Sequence, residues 1–169
     1  GEVRGTTWAE IDLDAGLWTI PAERMKAGRE HRVPLSEDAL ALLRSLPRMD
    51  GSPYVFPAVR GGQLSDAALS ACMRRIAAAK PGAYVDARSG RDAVPHGLRS
   101  TFRDWAAERG VDRDMAEIAL AHSVGSEVER AYRRSDMLER RRALMDAWAR
   151  FLSGETGQVV ELAANNKSR

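Results

Sequence analysis

The sequence predicts an α+β fold that is mainly α-helical and contains one small three-stranded antiparallel β-sheet. Three observations predict it. Short runs with β character, separated by turn residues, occupy 8–20 and 31–35, as expected for neighbouring antiparallel strands. From Ser36 onward, apolar residues recur at helical spacing in several segments. The chain has 169 residues and one cysteine, which suits one domain with a buried core and no internal disulfide.

The predicted sheet lies near the start of the chain. Residues 1–7 are typical of a helix end, and the run 8–20 then divides at a turn over 14–16 into two strands. A polar stretch leads to the third strand at 31–35. Lys26 is therefore expected near the turn that joins the second and third strands.

Helical segments form the rest of the predicted domain. The first helix begins after Ser36, and a second is expected to be capped by Ser65 and to run to about Ala79. Cys72, in this second helix, is expected to be a small buried residue. Four further helices are predicted at about 96–109, 112–121, 126–134 and 136–153.

Four polar residues in the second half of the chain indicate its chemistry. His96 and Arg99 lie three residues apart at a predicted helix start, His122 follows an apolar run, and Tyr132 lies in a predicted helix. A guanidinium and helix N-terminal amides stabilise negative charge that develops on phosphate oxygens. A tyrosine, with an ordinary pKa of about 10, becomes a nucleophile beside a base or a strong positive field. The set predicts phosphoryl transfer to a tyrosine without a metal.

A proton donor for the leaving oxygen is expected from Lys26. Only three of the 26 basic residues are lysines, and arginine cannot serve as the donor because its pKa is too high. A lysine on a turn between two strands can reach a neighbouring group, so Lys26 joins the predicted catalytic set.

These motifs resemble the catalytic domain of the tyrosine recombinases, also called the phage integrase family, and especially the integrases of prophages and genomic islands. PHGLRSTFRDWA is similar to the family's His-x-x-Arg box, and LAHSVGSEVERAYRRSD to its box of histidine and nucleophilic tyrosine. Lys26 falls at the family's hairpin lysine. His122 and Tyr132 are ten residues apart, one more than the commonest family spacing.

The resemblance implies a DNA breaking-rejoining fold and site-specific recombination that integrates or excises a prophage or genomic island. Tyr132 would form a 3′-phosphotyrosine, with His96, Arg99, His122 and Lys26 as the other catalytic residues. The implied partners are double-stranded DNA attachment sites and a homotetramer on DNA, with a monomer expected for a fragment. The implied location is the bacterial cytoplasm, on the nucleoid when DNA is bound. Neither a metal nor a cofactor is implied.

The family has one further catalytic arginine, three residues before the glutamate of an Arg-x-Gly-Glu-like motif. Only Gly1 and Glu2 of that motif are present here, so this arginine is expected two positions before Gly1. Arg4 lies on the other side of Glu2 and is left out of the catalytic set. We therefore expect a fragment, 1–153, that holds most of an active site and has little or no cleavage activity.

Contacts with the DNA backbone are expected from four arginines outside the catalytic set: Arg24, Arg29, Arg32 and Arg103. The tail 154–169 contains a strand-like segment that begins at Val159 and ends at Leu162, followed by a polar end expected to be disordered. This segment either docks in trans on a neighbouring protomer by strand addition, or packs on its own sheet, or is disordered.

Two other functions stay open from the sequence. A type IB topoisomerase shares the tyrosine chemistry, although that family favours lysine where His96 stands. The second is a DNA-binding or assembly module without chemistry, from a decayed prophage gene, and the five intact candidate catalytic residues argue against such decay. No apolar stretch approaches the length of a membrane span, so no membrane role is expected.

Overall fold

The structure is a computed structural model in which residues 1–87, 89–125 and 135–155 are described. Tyr132, the predicted helix at 126–134 and the segment 159–162 lie outside the described residues. The described part contains five α-helices and one three-stranded sheet, which confirms the predicted α+β class. The elements are β1 (Ile11–Asp12), β2 (Leu17–Ile20), β3 (His31–Pro34), α1 (Glu37–Ser45), α2 (Ala68–Ala79), α3 (Gly97–Glu108), α4 (Arg113–Ala119) and α5 (Leu138–Leu152).

The sheet has the order β1-β2-β3, and both neighbouring pairs are antiparallel. Lys26 lies in the connection between β2 and β3, as predicted. The first strand is shorter than predicted, because Trp8–Glu10 forms a 3-10 turn. The backbone amide of Trp8 donates to the carbonyl of Pro53 at 3.0 Å, and Nε1 of Trp18 in β2 donates to the Glu10 carboxylate at 3.0 Å. The segment is therefore held by the loop at 47–62 and by a side chain of β2, without a strand pairing of its own.

The two helices that follow the sheet differ in how they begin. The Ser36 side chain accepts a hydrogen bond from the Ala39 amide at 3.3 Å, so α1 has the predicted cap. The predicted cap at Ser65 is wrong: its main-chain carbonyl accepts from the Ala68 amide in a turn ahead of α2. Cys72 is exposed and not buried, because α2 buries none of its residues. No helix in the described ranges is long and apolar enough to cross a membrane.

The main core lies where α3, α4 and α5 meet. Trp148 of α5 packs edge-on against Phe102 of α3, with ring centroids 5.4 Å apart, and lies 5.0 Å from the ring of Trp105. Such aromatic pairs contribute beyond the area that they bury. The fully buried members of the core are Phe102, Trp105, Ala106, Met115, Ala116 and Leu144. This core fixes α3 and α4 relative to each other, and both helices carry candidate site residues.

A buried arginine joins α5 to the sheet. The Arg141 side chain is 1% exposed, and its guanidinium donates to the main-chain carbonyls of Arg32 and Asp136. The Asp136 carboxylate in turn accepts from Nε of Arg32 at 2.9 Å. Because a buried guanidinium without partners is very costly, these contacts hold the start of α5 against β3.

Replacing Arg141 tests its role in holding α5 against β3. Arg141→Ala leaves the carbonyls of Arg32 and Asp136 without this donor and removes a cation near the Asp136 carboxylate, so we expect the free energy of unfolding to fall by about 3 kcal/mol. Arg140→Ala, at an exposed position on the same helix, should change it by less than about 0.5 kcal/mol. Urea unfolding followed by tryptophan fluorescence measures both. Equal losses in the two variants would contradict the assigned role of Arg141.

Candidate active site

The start of α3 presents His96 and Arg99. His96 is the exposed N-cap residue of the helix, and its carbonyl accepts from the Arg99 amide at 3.1 Å. Among the described residues, the His96 side chain makes no hydrogen bond. Arg99 lies in the first turn of α3, where helix amides and the guanidinium give a positive field.

The end of α4 positions His122. Ala121 adopts a left-handed conformation with φ of 58°, which turns the chain back over the helix. The His122 amide donates to the Glu117 carbonyl at 2.9 Å, and the Ala121 amide to the Ile118 carbonyl at 3.0 Å. This pair of bonds is the Schellman motif. It places His122 beside the last turn of α4 and not beyond it.

Arg99 and His122 meet at this helix end. One guanidinium nitrogen of Arg99, Nη2, lies 2.5 Å from the Leu120 carbonyl oxygen and 2.9 Å from Nε2 of His122. A cation is favoured there because the C-terminus of a helix carries partial negative charge. The structure therefore brings together two members of the predicted set that are 23 residues apart.

His31 approaches the same helix end from β3. Its side chain lies close to the Ala119 carbonyl, which favours the charged form of the ring. Burial, together with the nearby Arg141 cation, lowers the pKa of His31 from 6.5 to about 4. The ring is therefore neutral at neutral pH.

Glu117 connects His122 to a second arginine. Its Oε2 lies 2.5 Å from Nδ1 of His122, and its Oε1 forms an ion pair with Nη2 of Arg103 at 2.8 Å. The hydrogen bond from His122, and then the Arg103 cation, hold the pKa of Glu117 below its usual value despite partial burial. The carboxylate is therefore ionised at neutral pH.

A cleft of about 350 Å³ lies beside His122. Met25 and Ala27 of the β2–β3 connection line one part of it, and His31, His122 and Arg141 line others. Lys26 is exposed between Met25 and Ala27. The connection that carries the candidate proton donor therefore borders the same cleft as the histidine. In the described ranges, no cluster of histidine, cysteine or acidic residues is arranged to hold a metal ion.

The four arginines predicted to contact DNA have different surroundings. Arg24 pairs with Glu10, and Arg32 pairs with Asp136 at 2.8 Å. Arg103 pairs with Glu117, whereas Arg29 is exposed and lines the cleft. Three of the guanidiniums therefore already hold a carboxylate of this chain, and a DNA contact of any of the four stays a prediction.

Arg4 binds the segment ahead of α2. Its Nη1 donates to the Leu64 carbonyl at 2.6 Å, and its Nη2 pairs with Asp66 ahead of α2. These contacts tie the first turn of the chain to the segment before α2, which is consistent with leaving Arg4 out of the catalytic set.

Sequence reasoning missed Glu117. Its signal was an acidic residue in the last turn of a helix, where the helix dipole disfavours negative charge. An acid at such a position needs a compensating partner, and His122 lies five residues on. The partner Arg103 is 14 residues earlier and on another helix, so only the packing of α3 on α4 reveals it.

Comparison with known proteins settles the family. The sequence model of the phage integrase family matches residues 1–139. The chain belongs to the phage integrase family. Its likeness to the solved structure of the XerA recombinase has a TM-score of 0.58 at 15% identity, over 93% of this chain and 53% of that chain. At this identity the likeness shows a shared fold.

Two relatives within the phage integrase family are similar over most of the chain. The prophage integrase IntA of Escherichia coli K12 is 39% identical over 163 residues, which cover 94% of this chain and 37% of that protein. The integrase of enterobacteria phage P4 is 30% identical over 178 residues, which cover 95% and 38%. The chain thus spans less than two fifths of the length of these relatives.

The depressed pKa of His31 predicts a pH dependence of stability. Between pH 6.5 and about 4, the unfolded chain binds a proton at His31 that the folded chain does not, so unfolding becomes easier as pH falls. The stability that His31 contributes is fully present above pH 6.5. We expect the stability advantage of the wild type over His31→Gln to shrink by about 1–2 kcal/mol from pH 7 to pH 5.

Urea unfolding of both proteins at the two pH values measures this difference, and the carboxylates common to both cancel in the comparison. The groups that face His31 are Arg141, Asp136 and Arg99, and none of them is changed. An advantage that stays constant with pH would show that His31 titrates equally in the folded and unfolded chains.

Proposed function

We propose that this chain is the catalytic part of a site-specific DNA recombinase, an integrase that cuts and rejoins DNA through a 3′-phosphotyrosine. The contact between Arg99 and His122, 2.9 Å long, is the observation that supports this most. The guanidinium of Arg99 can donate to the non-bridging oxygens of a phosphate, and the imidazole of His122 is held directly beside it. The membership in the phage integrase family supports the same chemistry.

The proposed reaction is a transesterification at phosphorus. The phenolic oxygen of Tyr132 passes its proton to an imidazole of the site and forms a bond with the scissile phosphorus. The bond between phosphorus and the 5′ oxygen breaks, and Lys26 gives that oxygen a proton. A 5′-hydroxyl from a partner duplex then reverses the step and releases Tyr132. The number of phosphodiester bonds is unchanged, so the exchange needs no external energy source.

The proposed partners follow from this chemistry. The substrates are double-stranded attachment sites, and a homotetramer on DNA aligns two duplexes for strand exchange through a Holliday junction. The exchange integrates or excises a prophage or genomic island. We place the protein in the bacterial cytoplasm, on the nucleoid when it binds DNA. Binding is expected to weaken as salt rises, because most contacts would be made with phosphates.

The nucleophile is tested by Tyr132→Phe in the protein that carries this chain. Without the phenolic oxygen no covalent bond with DNA can form, so we expect no adduct on a nicked suicide substrate and no recombination. Tyr84→Phe, which removes the hydroxyl of a half-exposed tyrosine (45% exposed), should leave both unchanged. Denaturing gel electrophoresis of labelled DNA measures the adduct.

Two results of that experiment would favour other functions. Unchanged recombination by Tyr132→Phe would indicate a DNA-binding or assembly module without chemistry. Relaxation of supercoiled DNA by the wild type, with no requirement for a particular site, would indicate a type IB topoisomerase.

The proton donor is tested by Lys26→Ala on two substrates. With ordinary DNA we expect cleavage to slow by about 10²–10⁴-fold, the usual contribution of a general acid. With sulfur in place of the bridging 5′ oxygen, the leaving thiolate needs no proton, so cleavage by the variant should approach the wild-type rate. Lys80→Ala, at the exposed end of α2, is the matched control. An equal defect on both substrates would assign Lys26 to DNA binding.

A further inference from the structure

Glu117 lies between the candidate catalytic histidine and an arginine of another helix. Its two carboxylate oxygens have different partners: Oε2 lies 2.5 Å from Nδ1 of His122, and Oε1 lies 2.8 Å from Nη2 of Arg103. On its other side, His122 meets Arg99 through Nε2 at 2.9 Å. The four side chains form one continuous row from α3 through the end of α4 and back to α3.

The partners in this row determine the tautomer of His122. A guanidinium can only donate hydrogen bonds, so Nε2 of His122 must accept from Arg99. An ionised carboxylate can only accept, so Nδ1 must carry a proton and donate it to Glu117. Both contacts are satisfied at once by a neutral imidazole with its proton on Nδ1.

Glu117 itself is held in place from three sides. It is anchored in the last turn of α4, its side chain is only 13% exposed, and Arg103 neutralises its charge. The Schellman motif adds a main-chain bond from the His122 amide to the Glu117 carbonyl. The backbone and the side chain of His122 are therefore both attached to the same residue, which leaves the ring little freedom.

We propose that Glu117 is a positioning residue for His122, holding the Nδ1–H tautomer so that Nε2 faces the phosphate-binding side of the site. Arg103 holds the Glu117 carboxylate in that position. The catalytic consequence rests on the proposed function. An imidazole that rotated, or that carried its proton on Nε2, would turn a different atom toward Arg99 and the scissile phosphate.

The variant Glu117→Gln separates this role from simple packing. Glutamine has nearly the same shape but only one side-chain oxygen, and both neighbours, Nδ1–H of His122 and Arg103, require an acceptor. One of the two must then face an NH₂ group. In the protein that carries this chain, we expect the His122 tautomer to become mixed and covalent-complex formation at saturating DNA to slow by about 10- to 100-fold, the loss typical of removing a carboxylate that orients a metal-ligating histidine.

The double variant Glu117→Gln with Arg103→Leu tests whether the lost tautomer and rate can be restored. With Arg103 removed, the glutamine oxygen can turn fully to Nδ1–H of His122, so the double variant should recover the tautomer and much of the rate. The control is Glu108→Gln at an exposed position near the end of α3, which should match the wild type. A double variant no better than Glu117→Gln would show that Glu117 acts only on packing and would overturn the proposal.

The tautomer is read directly from the ¹⁵N chemical shifts of the His122 ring in the protein without DNA. We expect a protonated Nδ1 and an unprotonated Nε2 in the wild type, and His31 and His96 report whether each variant is folded. An Nε2–H tautomer in the wild type would overturn the proposal even if every variant misfolded. Because this measurement needs no cleavage, failure of the proposed recombinase function would appear separately, as a wild-type form of the protein that carries this chain that makes no covalent complex with DNA.

Discussion

The carboxyl end of α4 is the constraint on which the site depends. A helix leaves its last carbonyl groups without amide donors from its own backbone ladder, and each must find a partner elsewhere. Here two are satisfied by the following main chain and one by a side chain from α3. The pairs are Glu117 with the His122 amide, Ile118 with the Ala121 amide, and Leu120 with Arg99. The contacts that satisfy the carbonyl groups at the end of α4 are therefore the same contacts that bring the site residues together.

The C-terminus of α4 also explains where the charged side chains of the site lie. Partial negative charge at the C-terminus of α4 attracts the guanidinium of Arg99 and opposes the carboxylate of Glu117. Arg103 compensates Glu117 from α3, and the neutral ring of His122 separates the two opposite charges. On the other side of the cleft, Arg141 fixes β3 to α5. The β2–β3 connection that carries Lys26 is thus attached to the helices by a buried cation and not by apolar packing alone.

The sequence could predict the parts of this arrangement that depend on neighbouring residues. β2, β3 and the cap of α1 follow from short β runs and from Ser36, whose partners lie within a few residues. Ser65 shows where such prediction from neighbouring residues fails, because a serine before a helix can equally use its main-chain carbonyl in a turn. The contact between Arg99 and His122 could not be predicted as a distance, because it depends on how the aromatic core packs α3 on α4. The motif identified both residues, and only the fold gives their geometry.

The backbone conformation of Ala121 explains why the sequence does not predict where α4 ends. A non-glycine residue in the left-handed conformation costs roughly 1–2 kcal/mol, and glycine is the usual residue at this position of the Schellman motif. An alanine in an apolar run therefore indicates a continuing helix, yet here φ is 58°. The strain is offset by the two main-chain bonds of the motif and by the bond that Arg99 makes to the Leu120 carbonyl just before it. Such strain persists only where several independent contacts hold the residue in the strained conformation. The same fixed conformation is needed to hold the imidazole of His122 against Arg99 and Glu117 at the same time.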